Sequence, residues 1–461
     1  MKFIAQRGYR EQYRRTIRLA VPVVLSQMGQ VIVQVVDNAM VGRLGAAPLA
    51  AVSFAGSIFI LVFIVGIGIT MGATPLVGER YARGNYRASA ALLQNATVLY
   101  ILAGVALFAI LLALVPLIPH LGQPPEVIEM AVEYYKYLAW SVIPFMIFGA
   151  FKQFLEGIGN TRVAMAIVLL SNVINVIFNW LLIYGNWGFP AMGVAGAGLA
   201  TLISRILTPV LIIIYFLRRD SFRRYFRFFH WKNLQFKWIR RLLKVGLPIS
   251  SQMFMEVSAF ALSSIMMGWI GTVELAANQI AMTMASFAFM IVVGLSSAAT
   301  IRSSHACGTG NLRELRRVTN ASYRIGIIYS LSSATLFIVL RRWIPFIFTS
   351  DPAVAELASY LLVFVALFQI SDALQTIMIG ILRGIKDVNA TMAIAFVSYL
   401  LVNLPVGYLC AFVLDWGAGG LWVGFVVGLT LAAVLLNLRY RYTYRRMWRA
   451  ASEKSKEITM I

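Results

Sequence analysis

The chain has 461 residues, of which 60% are apolar and only 13% charged, and its mean hydropathy is +0.79. A soluble chain carries about 25% charged residues, so a water-soluble multidomain enzyme is all but excluded: too few polar side chains exist to cover its surface. The charges that remain are lopsided, 40 Lys and Arg against 18 Asp and Glu for a net +22, which points either to nucleic acid or to basic loops on one side of a bilayer.

Taken in chain order, the apolar stretches decide between the two. A hydrocarbon core about 30 Å thick needs about 20 apolar residues of helix. Charged or Gly/Pro-rich breaks leave twelve such stretches, at 16–38, 49–75, 92–116, 130–151, 163–184, 193–217, 242–265, 275–300, 321–345, 357–381, 390–414 and 418–438, with a tight turn over 39–48. Of the 40 Lys and Arg, 35 lie in or beside the N-terminus, the loops after even-numbered spans, and the tail from Arg439; the others are Arg43, Lys136, Arg205, Arg341 and Arg342. That is the positive-inside pattern, with both termini cytoplasmic. The segment RRDSFRRYFRFFHWKNLQFKWIRR (218–241) reads as a basic linker hugging the inner leaflet, its aromatic residues buried and its basic heads snorkelling. No role in nucleic-acid binding is needed to explain it. The expected organisation is a cytoplasmic N-terminus (1–15), a six-helix bundle (16–217), the linker (218–241), a second six-helix bundle (242–438) and a cytoplasmic tail (439–461).

Chemistry-bearing motifs are few. Cys307 and Cys410 are far apart, and His120, His230 and His305 are scattered, so neither a disulfide framework nor a His-built metal or haem centre is expected. The N-terminus is basic but lacks the apolar core and small-residue cleavage site of a signal peptide. No Walker lysine loop, GxSxG or HExxH is found, and an enzyme is not expected.

The chain repeats itself. A shift of 226 residues aligns 14–87 with 240–313 without a gap, and 18 of the 74 pairs are identical. The matches include Pro22/Pro248, Gly42/Gly268, Gly45/Gly271, Ala73-Thr74/Ala299-Thr300 and Gly84-Asn85/Gly310-Asn311. A shift of 227 aligns LEGIGNT (155–161) with LRGIKDV (382–388). Six spans is an even number, so the repeats are parallel: an all-α membrane protein of two six-helix bundles related by an axis along the membrane normal, with the substrate route between them.

Ionisable groups at membrane depth cost at least about 2.5–3.5 kcal/mol each. Asp37, Glu256 and Asp372 lie well inside spans, with no obvious basic partner on the same helix. A carboxylate so placed either carries a proton or holds a cation, and both states suit coupled transport. Polar stripes surround them: Gln27, Gln30, Gln34 and Asp37 in span 1; Asn172, Asn175 and Asn179 in span 5; Gln252, Glu256 and Ser263 in span 7; Asn278, Gln279 and Thr283 in span 8; Gln369, Asp372 and Thr376 in span 10. For the amides, interhelical hydrogen bonding is an equally good reading. Lys152, Glu156, Arg383 and Asp387 fall at span ends and read as snorkelling or loop residues. Arg205, inside span 6, is expected to reach the inner interface. Tyr134, Tyr135, Tyr137 and Trp140 read as an outer aromatic belt. The Met-rich faces of spans 7 and 8 read as helix packing or an adaptable cavity wall. Pro22 and Pro248 free backbone carbonyls at matching points and are hinge candidates, or static kinks.

Four segments together resemble the multidrug and toxic compound extrusion (MATE) family, in its NorM-type branch: 19–53, the NVINVIFNW of 172–180, GLPISSQMFMEVSAF (246–260) and QISDALQTIMIGILRGIKD (369–387). The resemblance covers about 10–440. It implies an antiporter that expels amphipathic, cationic drugs or dyes against inward Na+ or H+, with no other cofactor. It implies, too, a monomeric multi-pass protein of the bacterial inner membrane whose partners are small molecules and the lipid bilayer. The family's cation site in the C-terminal bundle matches Glu256 and Asp372, the expected sodium ligands, and its acidic site in the N-terminal bundle matches Asp37 with Asn175 and Asn179. Phe368 stands where some relatives have a tyrosine, which leaves a sodium site there one oxygen short. A flippase for lipid-linked saccharides, of the same superfamily, is the alternative; such a carrier is expected to have a cationic lumen.

Overall fold

The computed structural model describes residues 2–230 and 233–459. Met1, Trp231 and Lys232 of the linker, and the last two residues of the tail, lie outside the described residues. Among the described residues, regular structure is helical throughout, and twelve helices are long and apolar enough to cross a bilayer. The first six are α1 (Tyr9–Gly42), α2 (Ala46–Ala82), α3 (Tyr86–His120), α4 (Pro125–Gly157), α5 (Thr161–Tyr184) and α6 (Gly193–Arg218). The second six are α7 (Phe236–Ile270), α8 (Thr272–Gly308), α9 (Leu312–Leu340), α10 (Pro352–Gly384), α11 (Val388–Val413) and α12 (Gly417–Glu453). Most run several residues beyond the expected apolar spans, because charged end turns remain helical outside the hydrocarbon.

The chain packs as two compact units, residues 25–250 and residues up to Val24 together with 251–461. Both internal boundaries fall two residues after a proline, Pro22 or Pro248, through which α1 and α7 stay helical. Within each unit the packing plan is the same. In the first, α4 is the hub and packs on α2, α3 and α6; in the second, its counterpart α10 packs on α8, α9 and α12. Apolar side chains gain nothing by leaving lipid for another helix, so these contacts depend on small residues and interhelical hydrogen bonds. Thr74 of α2 donates to the Gln153 carbonyl of α4 at 3.2 Å, and Thr300 of α8 donates to the Gly380 carbonyl of α10 at 2.8 Å, at equivalent points of the repeat. The loops match too. Gly84 and Gly310 both take φ of +70°, which favours glycine, and the following Asn85 and Asn311 cap α3 and α9 by accepting from backbone N–H groups at 3.0 and 2.9 Å.

Two local expectations need correction. Tyr134 and Tyr135 are buried and do not form an aromatic belt; of that group only Trp140 is well exposed. Glu156 is not a span-end loop residue but is buried, with Lys152 Nζ 3.8 Å from its carboxylate. Asp387 does lie in the loop between α10 and α11, as expected, where Arg439 holds it at 2.7 and 3.0 Å and Thr443 at 2.8 Å. The short helix Asp220–Phe226 after α6 turns Phe222 and Tyr225 inward and leaves Arg223 and Arg224 exposed, as the linker reading expects. Burial pushes the Tyr225 hydroxyl's pKa up.

Candidate functional site

In the unit that contains 251–461, Gln252 and Glu256 stand one turn apart on α7, and Gln252 Nε2 donates to Glu256 Oε2 at 2.8 Å. The carbonyl end of the same amide accepts from Arg383 Nη2 at 2.5 Å. Arg383, 8% exposed near the end of α10, also acts electrostatically on Glu256. Tyr399 of α11 acts electrostatically on Glu256 and Asp372, and its hydroxyl accepts from Gln375 Nε2 at 2.6 Å. That nitrogen donates as well to Asp372 Oδ1 at 3.2 Å, and Thr376 Oγ1 donates to the same oxygen at 3.3 Å.

Hydrogen bonds therefore form one run through Arg383, Gln252 and Glu256 and another through Tyr399, Gln375, Asp372 and Thr376, and Tyr399 links the two by its electrostatic action on Glu256. Asp372, Gln375 and Tyr399 are all buried. The link depends on a backbone irregularity, since Tyr399 lies in a stretch of α11 wound as π-helix, Phe396–Asn403. Such a stretch shifts the helical phase and is frequent at functional sites. One turn before Asp372, both amide atoms of Gln369 are buried without a hydrogen-bond partner, and so is Gln375 Oε1. Carbonyl oxygens of this kind are the neutral ligands that a hard cation takes beside carboxylates.

In the unit of residues 25–250, Asn179 of α5 donates from Nδ2 to Asp37 Oδ1 of α1 at 2.5 Å and to Asn175 Oδ1 at 3.1 Å. Tyr184 ties the end of α5 to the Met40 carbonyl at 2.7 Å, which fixes α1 beside it. Arg205 of α6 lies in the electrostatic field of Asp37. Its guanidinium donates to Ser141 Oγ at 2.7 Å and lies over the rings of Phe59, Phe63 and Phe145, 5.4, 4.7 and 5.7 Å from their centroids. Cation–π contacts of this type favour a guanidinium in a dry setting. Arg205 is thus held among side chains of its own unit and does not reach out to an interface.

The expected residues divide cleanly. Glu256, Gln252, Asp372 and Thr376 come together in one unit, and Asp37, Asn175 and Asn179 in the other. Four do not join them. Gln34 and Gln279 are exposed. Asn278 accepts from Trp422 Nε1 at 3.0 Å and braces an aromatic cluster. Phe368 lies in that same cluster, 5.7 Å from Trp422 and 6.2 Å from both Phe260 and Phe425 between ring centroids. Sequence reasoning missed Tyr399 and Gln375 and set Arg383 aside as a span-end residue. A signal for Arg383 was present, because 372, 376, 379 and 383 follow helical spacing along one face of α10. Tyr399 had none, since a π-helical phase shift leaves no mark in an apolar pattern.

The MatE family model matches the chain twice, over residues 22–181 and 248–409, and the two matches start 226 residues apart, the offset of the internal repeat. The probable multidrug resistance protein NorM of Rhizobium meliloti is 34% identical over 444 residues, 94% of each chain. The multidrug resistance protein NorM of Photobacterium profundum is 33% identical over 440 residues, 94% of this chain and 96% of that one. Among solved structures, an outward-facing multidrug resistance MATE family transporter of the MOP superfamily superposes with TM-score 0.87 at 20% identity, covering 95% of this chain and 97% of that one. A eukaryotic MATE transporter superposes with TM-score 0.86 at 21% identity, covering 97% and 99%. At such identities these two likenesses concern the fold.

Proposed function

The chain belongs to the MatE family, and on that premise we propose that it is an efflux antiporter, exporting amphipathic, cationic drugs or dyes in exchange for an inward-moving cation, Na+ or H+. The multidrug part of this reading is carried over from the relatives. The coupling part is supported by one observation above all, the two runs of hydrogen bonds that end at Glu256 and at Asp372 inside a single unit, with Tyr399 acting on both carboxylates.

The mechanism follows from charge. With its carboxylates ionised, the protein holds a cationic drug by attraction; at about 4 Å and an effective dielectric near 20 one such pair contributes about 4 kcal/mol. A cation entering from outside at Glu256 and Asp372 cancels that attraction, and 4 kcal/mol corresponds to about a thousandfold loss of drug affinity. The drug leaves, and the loaded site accompanies the inward swing of an alternating-access cycle. Sodium would take Glu256 and Asp372 with the oxygens of Gln369 and Gln375 as neutral ligands; a proton would need only the carboxylates. Asp37 with Asn179 offers a second loading point for protons. The intramembrane arginines Arg205 and Arg383 each neighbour a carboxylate, which disfavours the cationic lumen of a saccharide–lipid flippase. Both termini are read as cytoplasmic, in a bacterial inner membrane, and the working protein as a monomer.

Reconstituted protein loaded with a fluorescent cationic dye tests the proposal, with a sodium gradient and a pH gradient imposed separately. One gradient or both should drive efflux, and Asp372→Asn should abolish driven efflux at normal expression. Undiminished efflux by that variant, or efflux indifferent to both gradients, sinks the coupling role.

A further inference from the structure

Far along the sequence from the carboxylates, a groove of about 830 Å³ opens between the beginning of α9 and the end of α12. Its rim carries Arg316 and Arg324 from α9 and Arg441, Arg445 and Arg449 from α12. Spacings of four and eight residues put the arginines of each helix on one face. All five are exposed, and among the described residues none makes an ion pair with a carboxylate. Arg324 donates to the Tyr13 hydroxyl at 3.2 Å and lies over the Tyr9 ring at 4.8 Å, and a rim of guanidinium groups with no carboxylate among them attracts an anion.

The floor beneath is aromatic and fixed. Tyr440, Tyr444 and Trp448 follow one another up α12 with centroids 5.9 and 6.1 Å apart. Tyr440 accepts from Thr319 at 2.9 Å, Tyr444 donates to the Leu312 carbonyl at 3.3 Å, and Tyr323 donates to the Leu374 carbonyl at 3.2 Å. The groove therefore has rigid walls and a charged rim. On the side away from the rim, apolar surface begins at once: Ile328 and Leu331 on α9 and Val434 and Leu438 on α12 are 50–67% exposed, as lipid-facing residues are.

We infer that this groove is a binding site for an anionic phospholipid, its phosphate held by the arginine rim and its acyl chains lying along the exposed faces of α9 and α12. The apolar half of the surface is what favours a lipid over a free anion or a nucleic acid. Basic pockets between transmembrane helices suit lipid headgroups, and Arg forks bind phosphate bidentately. Arg441 to Arg449 spans about 12 Å of helix axis, enough to engage two phosphates, so a diphosphate lipid of the cardiolipin type should bind most tightly.

Native mass spectrometry of the delipidated full chain in detergent tests this, titrated with cardiolipin, phosphatidylglycerol, phosphatidylcholine and inorganic pyrophosphate. Cardiolipin should bind at least tenfold more tightly than phosphatidylcholine or pyrophosphate, with phosphatidylglycerol between. Substituting Arg441→Gln, Arg445→Gln and Arg449→Gln together should cost tenfold or more in cardiolipin affinity; Arg441→Gln and Arg449→Gln taken singly, at exposed positions that leave the fold intact, about threefold each. Arg223→Gln with Arg224→Gln, in the other basic cluster, should change it less than twofold. Wild-type cardiolipin affinity in the rim variants overturns the site. Pyrophosphate binding as tightly as lipid makes it a free-anion site, and an equal loss from the Arg223/Arg224 variant makes the effect diffuse charge; either result refutes the inference.

Discussion

Tyr399→Phe is the most economical test of whether Glu256 and Asp372 work as a unit. The ring is buried and stays in place, while the substitution deletes the hydroxyl that acts on the Glu256 carboxylate and accepts from Gln375 Nε2 at 2.6 Å. Neither carboxylate is stranded, for Glu256 keeps Gln252 at 2.8 Å and Asp372 keeps Gln375 at 3.2 Å, so the fold should hold. A neutral hydrogen bond contributes about 0.5–1.5 kcal/mol and a polar contact with a charged group up to about 3; about 1.5–3 kcal/mol for the two together is equivalent to about 10- to 150-fold in an equilibrium constant. Cation-driven dye efflux from proteoliposomes should therefore fall about tenfold or more, while dye binding without a gradient stays within about twofold. Gln375→Leu breaks the same link from its other side. If the two residues form one path, the double variant should be no worse than the more damaging single one. Wild-type efflux by Tyr399→Phe, or losses that add in the double variant, would refute the path.

Two further predictions concern stability, read as thermal unfolding in detergent. Arg302, 7% exposed, holds α1 to α8 and α9: it donates to the Gln12 carbonyl at 2.8 Å, to Thr16 Oγ1 at 2.6 Å and to the Gln12 side chain, and pairs with Glu314 at 3.2 Å. Breaking a buried pair costs about 3–5 kcal/mol, so Arg302→Met should lower Tm clearly more than Glu314→Gln does, and an unchanged Tm would show the cluster to be idle. At Gly294 an added Cβ would lie 2.3 Å from Val24 Cγ2, whereas at the equivalent Gly68 it would lie 2.3 Å from the Ser250 backbone Cα. Both Gly→Ala variants should lose about 1–3 kcal/mol by overpacking, but Val24→Ala should rescue only the first; rescue of neither, or no loss in either, contradicts the geometry.

Much of the architecture is legible in the amino-acid sequence. Span count follows from the scarcity of charge, and the 226-residue offset predicts a duplicated packing plan that reappears in Thr74 and Thr300, each bonded to the equivalent carbonyl. Legibility failed where a side chain's direction mattered more than its position. Gln34 shares a helical stripe with Asp37, yet it is exposed while Asp37 meets Asn179, because a stripe wide enough to be noticed is wider than the face one neighbouring helix covers. Arg383 looked like a snorkelling residue because span-end arginines usually are. What turns it inward is Gln252 on another helix, 131 residues away in sequence, and no local pattern encodes such a partner.

The repeat carries a further consequence for function. At the 226-residue offset Glu256 corresponds to Gln30 and Asp37 to Ser263, and at 227 Asp372 corresponds to Phe145. No intramembrane carboxylate has an acidic counterpart, although the helices that present them pack alike. Duplication thus preserved the skeleton while the charges diverged, leaving Asp37 with two asparagines and Arg205 in one unit and the pair Glu256 and Asp372 with Arg383 in the other. On the proposed function, two chemically different sites on equivalent scaffolds would bind a cation with different ligand sets, so their loading should separate experimentally: conditions that saturate the pair at Glu256 and Asp372 need not saturate Asp37. That is why a substitution confined to one path, such as Tyr399→Phe, is more informative about the coupling ion than removing any carboxylate outright.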